Sequence, residues 1–189
     1  MMEEFLDFSL EEEAKERFKN YAYLLLEWNK IHSLSGAKCL EEVYENIFDS
    51  IYPLHFIDDF DSCLDIGSGA GFPALPLAIC KPALRFILVE PRAKRAAFLR
   101  YASLQLGLDI EIKKCLIEDL NSSDIVNVDL ITSRAVMNSK DLIERGRKFL
   151  KKNGCYLFYK GSCLSKEISY QEKECIFRGN RVYFYRKDV

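Results

Sequence analysis

The stretch Cys63-Leu64-Asp65-Ile66-Gly67-Ser68-Gly69-Ala70-Gly71-Phe72-Pro73-Ala74-Leu75-Pro76-Leu77 runs from a short apolar segment through three alternating glycines into a helix start. Leu64 and Ile66 suit a buried strand. The glycines permit a sharp turn with φ > 0, and Pro73 fits a first helical turn, where a missing N–H goes unnoticed. Strand, glycine turn and helix N-terminus together predict a nucleotide-binding crevice at the carboxyl edge of a parallel sheet.

Spacing narrows the nucleotide. A dinucleotide fingerprint G-x-G-x-x-G/A that begins at Gly67 and Gly69 needs a small residue at position 72, where this chain has Phe72 followed by Pro73. That weakens the dinucleotide reading. With Asp65 two residues ahead of Gly67, the segment instead resembles the D-x-G-x-G-x-G loop of class I methyltransferases, which bind S-adenosylmethionine. That ligand carries an α-amino group and a carboxylate, which need an acceptor and backbone donors. A second strand is predicted at Arg85-Phe86-Ile87-Leu88-Val89. Glu90 at its end lies 19 residues after Gly71, close to the offset of roughly 20 at which an acid meets ribose hydroxyls. Gly67 and Gly69 in the loop, with Glu90 as the ribose acceptor, are therefore candidate cofactor residues.

With 189 residues and 49% hydrophobic content, the chain is long enough for one sizeable core. It has no apolar run of the ~18 residues that span a bilayer, and its first residues, Met1-Met2-Glu3-Glu4-Phe5, do not read as a signal peptide. A cytoplasmic protein without a membrane partner is expected. Seven cysteines are scattered without a C-x-x-C pair, and only His32 and His55 supply imidazoles, so a zinc site or disulfide framework is not expected. Cys63, Cys115 and Cys155 read as small buried strand residues. Charge is divided along the chain: residues 1–60 carry 5 Lys+Arg against 14 Asp+Glu, and residues 61–189 carry 22 against 15. The net +7 of the second part suits a polyanionic substrate, though solvated helix faces would account for it equally well.

Periodicity predicts helices over 10–31, with Ser9 as N-cap and Glu12 completing a capping box, and over 40–52. After Asp61 the pattern alternates: strand 62–66, helix 73–80, strand 85–89, helix 91–105, strands 109–114 and 128–132, helix 139–150, strand 154–160. This is the rhythm of an α/β doubly wound, mostly parallel sheet. Gly179-Asn180, between Cys175-Ile176-Phe177-Arg178 and Arg181-Val182-Tyr183-Phe184-Tyr185, predicts a terminal antiparallel hairpin. The domain reading is an N-terminal helical extension over 1–60 packed on a catalytic domain over 61–189.

Ligands in such sheets sit beyond the carboxyl ends of the strands. Ile117-Glu118 after the third strand is placed to flank an adenine, with a solvated turn as the equal alternative. Arg134, in Thr132-Ser133-Arg134-Ala135 after the fourth strand, is placed to hold a cofactor carboxylate or an RNA phosphate through its planar fork. Lys160-Gly161, after the fifth strand, reads as an exposed lysine at a strand end, with a place facing the substrate as the lesser alternative. The chain has no D/N-P-P-Y/F run to grip an exocyclic amine and no Pro-Cys pair to attack a pyrimidine ring. Guanine N7 needs neither device, because it offers an in-plane lone pair and has no proton to lose. No general base is expected; catalysis would rest on positioning and on tolerance of the developing positive charge.

Glu27-Trp28-Asn29-Lys30, the segment Leu64 to Pro73, Ile131-Thr132-Ser133-Arg134-Ala135 and Tyr159-Lys160-Gly161 together resemble the bacterial ribosomal small-subunit methyltransferase G family, also called glucose-inhibited division protein B. The resemblance implies a class I Rossmann-like fold. It also implies S-adenosyl-L-methionine as cofactor, and methylation of a guanine at N7 in the decoding-region loop of 16S rRNA within the small ribosomal subunit. It carries cofactor contacts onto Gly67, Phe72, Ile117, Glu118 and Arg134, and a monomer is expected. The chain departs from the family pattern at Ser33-Leu34-Ser35, at Asn46-Ile47, at Leu116 and at Asn180-Arg181; these changes are expected to touch RNA contact and to leave the cofactor site intact. Two rival readings share parts of this evidence: a small-molecule methyltransferase, and a non-catalytic RNA-binding or ribosome-assembly protein.

Overall fold

The structure, a computed structural model, describes residues 10–121, 123, 125, 127–134, 136–161 and 164–188. Two helices, α1 (Glu12–His32) and α2 (Leu40–Ile51), precede an alternating run: β1 (Ser62–Ile66), α3 (Ala74–Cys80), β2 (Arg85–Val89), α4 (Ala93–Gln105), β3 (Ile110–Lys113), β4 (Val128–Arg134), α5 (Ser139–Gly146) and β5 (Leu150–Lys160). A short α6 (Leu164–Glu167) leads to the hairpin β6 (Cys175–Arg178) and β7 (Arg181–Lys187). The seven strands lie in the order β3-β2-β1-β4-β5-β7-β6. β1 to β5 are parallel, and β7 runs antiparallel to both β5 and β6.

Alternation along the strands assigns each face of the sheet its helices. Cys63, Phe86, Leu88, Leu130, Leu157 and Tyr159 point into a core shared with Phe18, Tyr21 and Leu25 of α1, Ile47 of α2, Leu75 of α3 and Phe98 of α4. Leu64, Ile66, Ile87, Ile131 and Phe158 face the other way, onto Leu142 of α5 and Phe149. Phe18, Tyr21, Ala22 and Leu25 stand three, four and seven residues apart, so one stripe of α1 is buried. The sheet order reverses between β1 and β4, and a crevice opens beyond their carboxyl ends.

Several element limits differ from the expectation. The N-cap of α1 is Glu11, without a side-chain capping bond, and the Ser9 cap lies outside the described residues. α5 ends at Gly146 and passes into a single 3₁₀ turn, Arg147–Phe149, so that β5 starts four residues early, at Leu150. That turn seats Phe149 and Leu150, both buried, in the core beneath α5. β4 runs two residues past its expected end, which makes Arg134 its last residue. Cys115 lies beyond β3 and is only half-buried, unlike Cys63 and Cys155. Among the described residues no helix is long and apolar enough to cross a membrane.

Candidate active site

Beyond the ends of β1, β2 and β4 lies a cleft of about 710 Å³. One wall is the glycine turn. Gly67, Gly69 and Gly71 have φ of +73°, +58° and +103°, in the region that side chains resist. Gly67 also admits no side chain, since a Cβ there would lie 2.2 Å from Cγ2 of Val136. Gly69 differs: a Cβ would meet nothing nearer than 3.9 Å, so its surroundings are open to the cleft. The amides of Gly67 and Ser68 donate to the Val89 carbonyl, which ties the turn to β2.

Glu90 completes this wall. Its Oε2 accepts from the Gly69 amide at 2.9 Å and its Oε1 from the Arg92 amide at 2.8 Å. A carboxylate held this way is fixed in direction, and each oxygen retains a lone pair for a further donor such as a vicinal diol. Asp65 lies beneath the turn, fully buried, with Oδ1 accepting from the Thr132 hydroxyl at 2.7 Å and Oδ2 without a hydrogen bond. Burial pushes its carboxyl up to about 7, against the lowering influence of the neighbouring Ser68 and Thr132 hydroxyls, and the nearby Glu90 pushes in the same direction as burial. Asp65 does not itself line the cleft; its unbonded oxygen lies behind the glycine turn that does.

Phe72 is buried where the turn meets α3, with its ring edge-on to Tyr21 at 5.4 Å; the Tyr21 hydroxyl donates to the Ala70 carbonyl at 2.8 Å. α1 thus holds the glycine turn from behind. Over Phe72 lies the Arg134 guanidinium, 5.5 Å from the ring centroid. Nη2 of Arg134 donates to Asn46 Oδ1, and Nη1 stands 3.4 Å from Asp49 Oδ2. Burial lowers the guanidinium's pKa, and Asp49 opposes that shift. Asp49 also accepts from Nε of Arg181 and from the Tyr183 hydroxyl, each at 2.9 Å. One carboxylate on α2 thus joins the ends of β4 and β7.

The remaining walls come from elements the sequence did not mark as cofactor-binding. Leu34, Ser35, Gly36 and Ala37 line the cleft between α1 and α2. Asn29 shapes that segment by donating to Ser35 Oγ and the Ala37 carbonyl and by accepting from the Ser35 amide. Glu42, Glu45 and Asn46 of α2 form a further wall, and Arg92 and Arg95 at the start of α4 another. Asn29 and Asn46 were visible only as parts of motifs, because their partners are remote or in the next element.

Of the expected site residues, the fold brings Gly67, Gly69, Phe72, Glu90 and Arg134 together around the cleft. Ile117 and Glu118 do not line it: Ile117 is buried among the residues beneath α5, and Glu118 pairs with Arg145. Lys160 is not an exposed strand-end lysine. It is 7% exposed and donates to the Met137 carbonyl and to Glu167, each at 2.8 Å. Glu167 also accepts from the amide and hydroxyl of Ser139, so this network fastens the segment that presses Val136 onto Gly67. Of the two departures on α2, Ile47 is core, whereas Asn46 reaches Arg134 inside the cleft. The change at Asn46 therefore does not stay clear of the predicted cofactor residues.

Residues 14–188 match the family model described as rRNA small subunit methyltransferase G. The chain belongs to that family. A protein named ribosomal RNA small subunit methyltransferase G from Helicobacter hepaticus is 51% identical over 179 residues, covering 94% of this chain and 97% of its own length. The protein of that name from Helicobacter pylori strain HPAG1 is 56% identical over 169 residues, covering 89% and 94%. The one from Wolinella succinogenes is 45% identical over 182 residues, covering 95% and 92%. Among solved structures, precorrin-6y C5,15-methyltransferase from Geobacter metallireducens superposes with a TM-score of 0.58 at 16% identity, over 82% of this chain and 90% of that one. The fibrillarin/Nop5p complex contains a chain with a TM-score of 0.57 at 14% identity, over 74% and 78%. The fold is that of class I methyltransferases, and membership of the rRNA small subunit methyltransferase G family makes the chain an enzyme of methyl transfer.

Proposed function

We propose that the chain transfers the methyl group of S-adenosylmethionine to N7 of a guanine in the decoding-region loop of 16S rRNA, using the cleft between β1 and β4. The observation that carries this reading is the meeting in one cleft of the glycine turn, Glu90 and Arg134, in a chain of this family. Gly67, Gly69 and Phe72 present the turn, and Glu90 accepts the ribose hydroxyls. Asp65 offers Oδ2 to the amino group, and Arg134 holds the carboxylate or an RNA phosphate. A backbone N–H of Ile117-Glu118 and the Glu118 carboxylate serve the adenine, which requires Glu118 to leave Arg145 and move toward the cleft it does not line. When bound, the cofactor supplies a methyl group activated by its sulfonium.

The protein's own task is positional. N7 of guanine has an available lone pair and no proton, so no residue needs to act as a base. The rate depends on holding the base in line and on acceptors that tolerate the positive charge developing on the ring. Arg92 and Arg95 have no acidic side-chain partner among the described residues and border the same opening, where RNA phosphates would run. Residues 1–60 act as a helical extension of the catalytic part, 61–189, and supply the α2 wall. The working unit is a monomer in the cytoplasm, acting on the small ribosomal subunit or its 16S rRNA.

The test is transfer of labelled methyl from S-adenosylmethionine to 30S subunits and to naked 16S rRNA lacking the modification, followed by chain cleavage at 7-methylguanine. One cleavage site in the decoding region is expected. Transfer to a different atom or a different RNA, or retention of RNA without turnover, would overturn the reading.

A further inference from the structure

Among the described residues three carboxylates line the cleft, and two of them are engaged. Glu90 accepts two backbone amides, and Glu42 accepts the Lys38 amide at 2.7 Å. Glu45 is exposed at the cleft wall, and among the described residues its carboxylate has no hydrogen-bond or ion-pair partner, although Arg92, Arg95 and Arg134 line the same cleft. The backbone that carries it is well fixed. Asn46, next in sequence, bonds Arg134, and Asp49, one turn further along α2, bonds Arg134 and Arg181. Ser50 adds its carbonyl as acceptor for the buried Tyr159 hydroxyl at 2.6 Å. A free carboxylate on a fixed helix, facing a cleft near the upper part of the roughly 300–1,000 Å³ range of ligand pockets, leaves an acceptor for a second ligand beside the cofactor.

We infer that Glu45 reads the target guanine, its two carboxylate oxygens accepting from the N1–H and the exocyclic amine, which leaves N7, on the other edge of the base, open to the methyl group of the cofactor. An ionised carboxylate only accepts, and guanine alone among the four RNA bases presents two adjacent donors on its Watson–Crick edge. Adenine and cytosine would place a ring nitrogen's lone pair against the carboxylate, and uracil a carbonyl oxygen beside its single donor. Glu45 therefore selects guanine by attraction and rejects the other bases by repulsion. It is a specificity residue, with no part in holding the cofactor. This inference rests on the guanine-N7 reading above.

The experiment is single-turnover methylation by the full chain of 16S rRNA carrying guanosine, or inosine in its place, at the nucleotide located by cleavage. Inosine lacks the exocyclic amine and keeps N1–H and N7. Wild type is expected to methylate the inosine RNA roughly 10- to 100-fold more slowly, the loss that goes with one charge-assisted hydrogen bond. Glu45→Gln is expected to lose at least that factor on guanosine and Glu45→Ala, which removes both bonds, more; neither variant should slow appreciably further when inosine replaces guanosine, and S-adenosylmethionine affinity and circular dichroism should be unchanged. Glu45→Asp should recover part of the preference for guanosine. Equal inosine penalties in wild type and Glu45→Gln, full activity of Glu45→Ala on guanosine, or loss of cofactor binding in either variant would overturn the inference while leaving the functional reading standing. Absence of 7-methylguanine with the wild-type chain would overturn both.

Discussion

The glycine-turn wall of the cleft presents mainly backbone, placed by positive φ at three glycines and by amides bonded to Val89 and Glu90. The α2 wall presents side chains, held by partners far away in the chain: Asn46 meets Arg134 across 88 residues and Asp49 meets Arg181 across 132. A wall made of backbone tolerates almost no change at the residues that shape it, because the conformation itself makes the site. A wall made of side chains can change its chemistry while the helix beneath it stays in place. The first arrangement suits a cofactor of constant shape, and the second suits recognition of a substrate.

The sharpest break in this contrast is expected at Gly67. Gly67→Val drives side-chain atoms into Val136 and forces a β-branched residue to a φ of +73°. Cofactor affinity measured calorimetrically should fall by roughly 100-fold or more, with methyl transfer lost and the helical circular dichroism retained. Affinity within tenfold of wild type would remove the turn from the site. Gly69→Ala sharpens the result, because no protein atom lies within 3.9 Å of the new Cβ: affinity lost there beyond what the backbone strain accounts for measures how closely the ligand approaches.

On the α2 wall the largest effect should come from Asp49. Removing it leaves Arg134 and Arg181, both mostly buried, without their shared carboxylate. Asp49→Ala is expected to cost about 3 kcal/mol in urea unfolding, and Asp49→Asn less, since an amide oxygen still accepts. Arg134→Lys keeps the charge but loses the planar fork that reaches Asn46 and Asp49 together, and should lower methyl transfer roughly tenfold. An Asp49→Ala protein as stable as wild type would mean that the two arginines are independently solvated and that α2 is held by its apolar face alone.

The same contrast explains what the sequence disclosed. β1, β2 and the hairpin strands were legible because apolar runs bounded by glycine or polar punctuation are local signals. Gly67, Gly69 and Glu90 were legible because one strand–turn–helix unit and its neighbour fix their spacing. The length of α5 was not, since only the burial of Phe149 and Leu150 stops it at Gly146. Nor was the role of Lys160, whose burial depends on Glu167 and Met137 being brought over it. Asn46 stood out only as a departure from the family pattern, and Glu45 carries no local signal at all. They read as the polar face of an amphipathic helix until the fold lays that face along the cleft.

Asp65 allows a pH test of the backbone wall. In the folded chain its carboxyl is raised to about 7 by burial, so the folded state holds this proton more tightly than the unfolded chain does. Its contribution to stability is therefore complete below the unfolded value near 4 and is lost as pH rises through about 7. Without cofactor, the unfolding free energy of wild type relative to Asp65→Asn should fall by up to about 1.4 kcal/mol per pH unit between pH 5 and 7. Parallel pH profiles for the two proteins would show that the carboxyl titrates normally and is better solvated than its burial implies. Cofactor whose ammonium reaches Oδ2 should flatten the decline, because it stabilises the ionised form.

The smallest effect concerns Glu118, which belongs to neither wall. It pairs with Arg145, and both side chains are well exposed, so the pair should contribute less than about 1 kcal/mol to stability. If Glu118 serves the adenine it must first give up that partner. Arg145→Ala would then tighten cofactor binding by about two- to threefold, and Glu118→Gln would weaken it by a similar factor. The opposite signs make the test decisive despite the small size, because a purely structural ion pair predicts that both substitutions shift affinity together or not at all. Such a result would confine cofactor recognition to the turn, Glu90 and Arg134, and would leave the loop after β3 as the support for α5 that its buried Ile117 already makes it.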